Sequence, residues 1–512
     1  MAKYGLCSLL FFCVLWDSFA QGVDQEAIGK EPRYHTWPKI GQGTYGDVRW
    51  SGDHAVKIGV LRDETQCSRN ILEAAIYRAL KNPSMPTVLS INIHRGKFDN
   101  FLEIHMTFCK PCKADHFPDV LEQVAELLRC AHANNIAHRD IKKQHFMRHD
   151  TLMVLIDWGM ADIFTASPME RRGTTLGYCS PEVLLSHFAN PKENDMWSFG
   201  VSLLELANGV ECMFPQNHAL HILNSFFVDA VDNKISLKSL NDSCKNGHQK
   251  LSDKLLKPME KITNPSQKKS IKGMLEPVFA ERISAQQILP NPDAASQISS
   301  IAPLPQPIFR ENSQVNERMR EMTYLWLYEL TVEFKHPGKF LFEAMSMTDR
   351  FIGTSDLTKD NLQLTAAIAY YLAEDFYDDG HTIGVFVNYA ARAFSKEQFR
   401  DFMLTLLENA DFNLIFNHPL RAYQRQIYQG NMPPHNSGMA IFLLTMLEIS
   451  TKTYSKPNHE KWQLVEAVLN HLKESASISD ENRSAWHAIC RHFAKSVLAQ
   501  NSYYLELCKS AQ

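Results

Sequence analysis

Hydrophobic positions change their period along this chain of 512 residues. Residues 35–105 alternate short β-type runs, such as Ala55-Val56-Lys57-Ile58, with one helical stretch predicted over 65–80. From 118 to 289 apolar residues recur at helical spacing. Residues 290–316 (PNPDAASQISSIAPLPQPIFRENSQVN) concentrate Pro, Ser, Asn and Gln, which predicts a linker. Beyond it, to residue 512, the pattern shows only successive amphipathic helices with aromatic and Leu faces. The layout is a mixed α+β unit, a linker and an all-α unit.

Composition narrows the picture modestly. A 45% hydrophobic content over this length supports several cores and two to four domains. A net charge of −4 gives no polyanion signal, so nucleic acid is not an expected partner. Eleven scattered cysteines fit reduced thiols better than a disulfide framework, and the CxxC of Cys109 and Cys112 has no second pair for a zinc site. Against that intracellular signature, Lys3 precedes an uncharged run rich in Leu and Phe, and Ser18-Phe19-Ala20 resembles a cleavage site. Residues 1–20 thus read either as a secretory signal peptide or as a hydrophobic extension. No other stretch is long enough to span a membrane, which is not an expected partner unless this segment is an anchor.

Candidate chemistry begins at Gly41-Gln42-Gly43-Thr44-Tyr45-Gly46-Asp47-Val48, a GxGxxGxV run. Its glycines let backbone N–H groups approach phosphates, and Val48 offers an apolar contact to a base. Lys57 follows on an apolar strand, and Glu73 on the next helix is a candidate carboxylate to hold it. For either alone the reading as a surface residue would win. They are followed by His138-Arg139-Asp140-Ile141-Lys142, then Asp157-Trp158-Gly159, Thr175 to Glu182, Asp195 to Gly200, and Arg282-Ile283-Ser284.

In order and spacing these motifs resemble the protein kinase family across residues 35–292. The resemblance implies a bilobal kinase fold, with ATP and Mg2+ as cofactors and protein hydroxyls as substrates. Asp140 would accept the substrate proton, Asp157 would hold the metal, and Lys57 with Glu73 would position the phosphates. Gly41, Gly43, Gly46 and Val48 would cover the nucleotide. Lys142 matches the serine/threonine class, and Thr175 would support Asp140 and Lys142. The Glu182–Arg282 pair and Asp195 are implied as scaffold.

The departures carry information. His145 stands where the family has a metal-ligating Asn. Imidazole is a poor Mg2+ ligand, which points to one well-held metal, to Mn2+, or to weak activity. Gln144 offers an amide oxygen one position away. The run Thr174-Thr175-Leu176-Gly177-Tyr178 resembles that of cyclin-dependent kinases, which implies that Glu170 stands in the place of their activating phosphothreonine. Of the three arginines that clamp that phosphate only Arg139 remains, the other two positions mapping to Leu72 and Asp162. Glu170 then either pairs with Arg139 and orders the loop without phosphorylation, or is simply solvated. Gly173 and Thr174 leave preference for proline after the target residue open.

In the all-α part, Met319-Arg320, Trp326-Leu327, Asp349-Arg350-Phe351, Leu362-Gln363-Leu364 and Leu372-Ala373 resemble the cyclin box. The predicted organisation is 1–34 N-terminal segment, 35–292 kinase, 293–316 linker, 317–423 cyclin-like box and 424–512 a further helical, second cyclin-type unit. Asp375 replaces a lysine that contacts the kinase in cyclins, and Leu72 replaces an arginine of the cyclin-docking helix, so both sides depart at the expected interface. A linker of about 27 residues spans roughly 25–30 Å and stretches to about 90 Å, giving an effective concentration of about millimolar. Activation in cis by an intramolecular cyclin-like partner is the first expectation, and such fusions are similar to those of large DNA viruses. A pseudokinase scaffold that binds host partners, or an active kinase with a docking arm, are the alternatives. Either way an intracellular setting is expected, cytoplasmic or nuclear and including a host cell.

Overall fold

The computed structural model describes residues 36–421, apart from 289–313, most of 228–250 and shorter segments that include 165–168 and 171–174. The N-terminal segment 1–34, nearly all of the linker and the 424–512 unit lie outside the described residues.

Five antiparallel strands form the first lobe: β1 (Lys39–Gly43), β2 (Gly46–Trp50), β3 (Ala55–Val60), β4 (Val88–Arg95) and β5 (Asn100–Met106), in the order β1-β2-β3-β5-β4. The branched, apolar strand β3 sits between β2 and β5, and its first five residues are buried. That register sets Lys57 between Val48 and Ile104.

The predicted helix at 65–80 is Glu64–Ala79, with an acidic first turn and a basic last turn that suit the helix dipole. Every residue from 67 to 77 is buried. An ordinary amphipathic helix leaves one face in water, so this burial requires cover on both sides. The sheet supplies one side and the second domain the other. The polar residues of the buried stretch find partners: Ser68 meets Asp375, Arg69 Asp162, Asn70 the Val60 carbonyl and Glu73 Lys57.

The second lobe is helical, built around Phe117–Ala133 and Pro191–Asn208, with a small hairpin, Phe146–His149 and Leu152–Leu155, beneath the cleft. Arg282 forms a bidentate, buried pair with Glu182, at 2.5 and 3.0 Å.

After residue 313 the described chain is all helix: Glu317–Glu333, Gly338–Thr354, Leu362–Asp375, Ile383–Tyr389 and Lys396–Asn409. The helix Leu362–Asp375 is buried continuously from Thr365 to Glu374, as expected of a central helix wrapped by others. Two of the quoted motif residues fix the first two helices together, because Arg320 grips Asp349 with bonds of 2.6 and 2.7 Å in the interior. Ser395 and Gln398 form a reciprocal capping box that starts the last helix.

Candidate active site

The hairpin of β1 and β2 brings Gly41, Gly43, Gly46 and Val48 over the cleft; Thr44 and Tyr45 lie outside the described residues. A Cβ at Gly46 would collide with the Ile58 carbonyl, and one at Gly43 would stand 4.0 Å from an Asp157 oxygen. The bare backbone leaves room above that carboxylate. Val48 is half-buried and packs against the core.

Beneath the hairpin, Lys57 Nζ lies 2.7 Å from Glu73 and 2.8 Å from Asp157. Burial pulls the ammonium's pKa down, but Asp157 and Glu73 outweigh it and hold it above the lysine range. For Asp157, burial pushes the carboxyl up, while Lys57 and the His145 ring drive it well below the usual range, so it is ionised. Asp157 has a left-handed backbone, φ 62°, a conformation that costs on the order of 1–3 kcal/mol and is kept here at the centre of the site.

The catalytic loop is held from below. Asp195 accepts from the backbone N–H of His138 at 2.8 Å and of Arg139 at 2.7 Å, which fixes Arg139 at φ 66°. Asp140 then meets Lys142 Nζ at 2.7 Å and the Thr175 hydroxyl at 2.7 Å. Burial raises the Asp140 pKa, but Lys142 and His145 outweigh it, so the net direction is down. Trp158 fills the core, fully buried, with its indole N–H on the Leu155 carbonyl at 3.2 Å.

His145 occupies the position at which a metal ligand is expected. Its Nδ1 is 2.8 Å from the Asp140 carbonyl, which can only accept, so Nδ1 carries a proton. Nε2 then faces Asp157 Oδ2 at 3.4 Å. Ligand atoms of Asp140, His145 and Asp157 all lie within 4.8 Å of one another. Gln144 is turned away, its amide engaged by the Glu211 carbonyl and the Tyr178 hydroxyl.

Arg139 reaches Asp162 in a close ion pair, and Arg69 joins the same carboxylate at 2.9 Å. Sequence reasoning missed Arg69, although it lies one helical turn before Leu72 and so on the same face. Glu170 has its backbone on a short strand, Met169–Glu170, paired with Phe188–Ala189. Its side chain, and with it the expected Glu170–Arg139 pair, lies outside the described residues. Cys109 and Cys112 are free thiols that burial pushes up to about 11 and about 12.

A cleft between a five-stranded sheet and a helical lobe, with a lysine–glutamate pair and two aspartates converging, defines the protein kinase class of fold. The family model for the protein kinase domain matches residues 34–292, and that for the cyclin N-terminal domain matches 296–415. This chain belongs to the protein kinase family, with a cyclin domain following its kinase domain.

Among curated relatives, it is 26% identical over 219 residues to mitogen-activated protein kinase mpk-1 of Caenorhabditis elegans, covering 38% of this chain and 49% of that kinase. It is 28% identical over 207 residues to serine/threonine-protein kinase A-Raf of Mus musculus, covering 35% of this chain and 33% of that kinase. It is 25% identical over 207 residues to G2/mitotic-specific cyclin-B2 of Anguilla japonica, covering 38% of this chain and 52% of that cyclin. The chain spans about half the length of the curated relatives it matches, and less of A-Raf. Among the described residues no helix is long and apolar enough to cross a membrane.

Proposed function

We propose that this protein is a serine/threonine protein kinase that transfers the γ-phosphate of ATP to protein hydroxyls, held in its competent form by its own cyclin domain. The observation that carries the reading is the assembled Lys57–Glu73–Asp157 triangle, whose Glu73 sits on a helix that the cyclin domain covers. That helix sets the position of Glu73, and Glu73 sets that of Lys57.

The residues present fit a nucleotide with a divalent ion. Gly43 leaves space over Asp157, and the Nδ1–H of His145 is engaged by a carbonyl, an arrangement typical of metal-ligating histidines. Asp157 and His145 would hold the ion, Lys57 would pair with phosphate oxygens, and the hairpin N–H groups would cover them. A divalent ion supplies neutralisation of the charge that develops on the phosphate oxygens. Asp140 is placed to orient the attacking hydroxyl and take its proton, with Lys142 and Thr175 fixing its two oxygens. A nitrogen donor in the set favours Mn2+ over Mg2+.

Support for regulation in cis comes from the interface. Glu64 at the start of the Glu73 helix meets the Ile383 N–H at 3.3 Å and Arg400 at 3.5 Å, and Arg78 near its end meets Asp411 at 2.6 Å. Asp162, clamped by Arg69 and Arg139, supplies a fixed carboxylate where a phosphate would otherwise gather arginines.

The test is phosphotransfer to a generic peptide by purified full-length protein with Mg2+ or Mn2+, alongside Asp157→Asn. Transfer lost in Asp157→Asn is expected. No transfer by wild type with either metal would overturn the proposal in favour of a binding scaffold.

A further inference from the structure

Three ligating side chains converge far from the catalytic cleft, inside the cyclin domain. His336 lies in the turn between the helices Glu317–Glu333 and Gly338–Thr354. Glu374 lies in the last turn of Leu362–Asp375, and His381 in the connection to Ile383–Tyr389. One ligand atom from each lies within 4.8 Å of the others.

The spacing of these atoms matches that of a coordination shell, and the Tyr370 hydroxyl, which donates to Thr331 at 3.1 Å, stands farther off, 3.4 Å from His336 Nδ1. Glu374 Oε1 is 3.1 Å from His336 Nδ1 and 3.3 Å from His381 Nδ1. Charge-assisted N–H···O bonds are ordinarily about 2.7–2.9 Å long. A tetrahedral ion with bonds of about 2.0–2.1 Å separates its ligands by about 3.3 Å. The second carboxylate oxygen, Oε2, accepts the His381 backbone N–H at 2.7 Å and also lies 3.3 Å from His381 Nδ1, so the carboxylate faces that ring with both oxygens while Oε1 alone also meets His336. Glu374's side chain is fully buried, and a buried carboxylate is costly without a cation facing it. Phe334 and Phe340 wall the two rings. His381 is 34% exposed, which leaves an entry path and a fourth position toward water.

We infer that His336 Nδ1, Glu374 Oε1 and His381 Nδ1 form a binding site for one divalent transition-metal ion of the zinc class. Two imidazoles and one carboxylate suit Zn2+ or Co2+ and not Mg2+. The ion closes the 376–382 connection onto the central helix. That connection is bounded by Asp375, which meets Ser68, and Ile383, which meets Glu64, so the site braces the segment pressed on the kinase helix.

The experiment titrates Co2+ into metal-stripped, full-length protein carrying Asp157→Asn, which weakens metal binding in the catalytic cleft, and follows visible absorption. One equivalent with the intense absorption of a tetrahedral N/O site is expected, together with a rise in melting temperature on adding Zn2+. Removal of an outer-shell partner alone weakens metal sites by about 10–100-fold. His381→Ala, at a part-exposed position that tolerates substitution, is therefore expected to weaken Co2+ by at least about 100-fold. His336→Gln is expected to do the same. Absence of the tetrahedral band, or the same affinity in both variants, would overturn the site.

Discussion

Ser68, on the helix that carries Glu73, donates its hydroxyl to the carboxylate of Asp375, on the central helix of the cyclin domain. The two lie 307 residues apart in sequence. Each departs from the cyclin-docking pattern in its surroundings, Leu72 beside the first and an acid in place of a lysine at the second, and they meet each other. The kinase and cyclin surfaces thus meet within one chain.

The rim of that interface gives a test by charge exchange. Arg95 on β4 bonds Glu408 through both nitrogens, at 3.0 and 2.6 Å, and both side chains are partly exposed. A part-exposed pair is worth about 0.2–1 kcal/mol, so Arg95→Glu is expected to lower peptide phosphorylation a few-fold. Adding Glu408→Arg restores it. Initial rates of the two single variants and the double variant check this.

Asp162 is the shared partner of two buried guanidinium groups, and removing one side of such a pair costs about 3–5 kcal/mol. Asp162→Ala is expected to lower the denaturant midpoint strongly and to reduce activity with it. Glu170→Ala is expected to leave the midpoint in place. Chemical denaturation followed by tryptophan fluorescence compares the two.

His145→Asn replaces a nitrogen donor with an oxygen. The expected outcome is a shift in metal preference, with the Mg2+ concentration for half-maximal activity falling relative to that for Mn2+. His145→Ala removes the donor and is expected to raise the requirement for both. Metal titrations of initial rate distinguish them.

Glu205, buried in the second lobe, bonds the Tyr178 hydroxyl at 2.8 Å and the Met213 N–H at 2.7 Å, and burial pushes its carboxyl up to about 7. Below the ordinary value of 4.5 it is protonated folded or unfolded. Between that and about 7 only the folded state keeps the proton, so its contribution to stability falls as pH rises through this window and is level above it. Glu205→Gln retains both bonds and is expected to flatten this slope, making the variant more stable than wild type at pH 8. Melting temperatures across pH 5–8 read the difference.

Glu343 is buried with Arg421, whose other nitrogen bonds the kinase Asn134 carbonyl at 3.2 Å. Burial raises the Glu343 pKa, but Arg421 and His418 outweigh it and hold it at about 2. Arg421→Ala removes the guanidinium from that buried carboxylate and leaves it His418 and Tyr377, and a loss of about 3–5 kcal/mol is expected. Glu343→Leu with Arg421→Met is expected to recover most of it. Urea midpoints of the single and double variants test this.

Legibility from sequence followed range. The Glu73 helix was predicted within one residue at each end, because its spacing is local. The residues proposed for nucleotide and catalysis, and the Arg320 and Asp349 motifs, stand out in the sequence because short spacings carry their patterns. Arg69 was missed because its target, Asp162, is 93 residues away and nothing local marks the pair. His145 was singled out as a departure, but that its Nδ1 bonds the Asp140 carbonyl and its Nε2 faces Asp157 follows only from the loop's fold.

By itself the sequence determined the order of the two domains, the helical and strand periods, and the residues able to do phosphate chemistry, since backbone periodicity and side-chain type are local properties. Only the tertiary structure decided that Ser68 meets Asp375, that Asp162 gathers Arg69 and Arg139, and that His336, Glu374 and His381 share one small volume. Those pairings join residues tens to hundreds of positions apart. They are selected by which surfaces exclude water together and which buried charges find partners, and no stretch of chain encodes them alone.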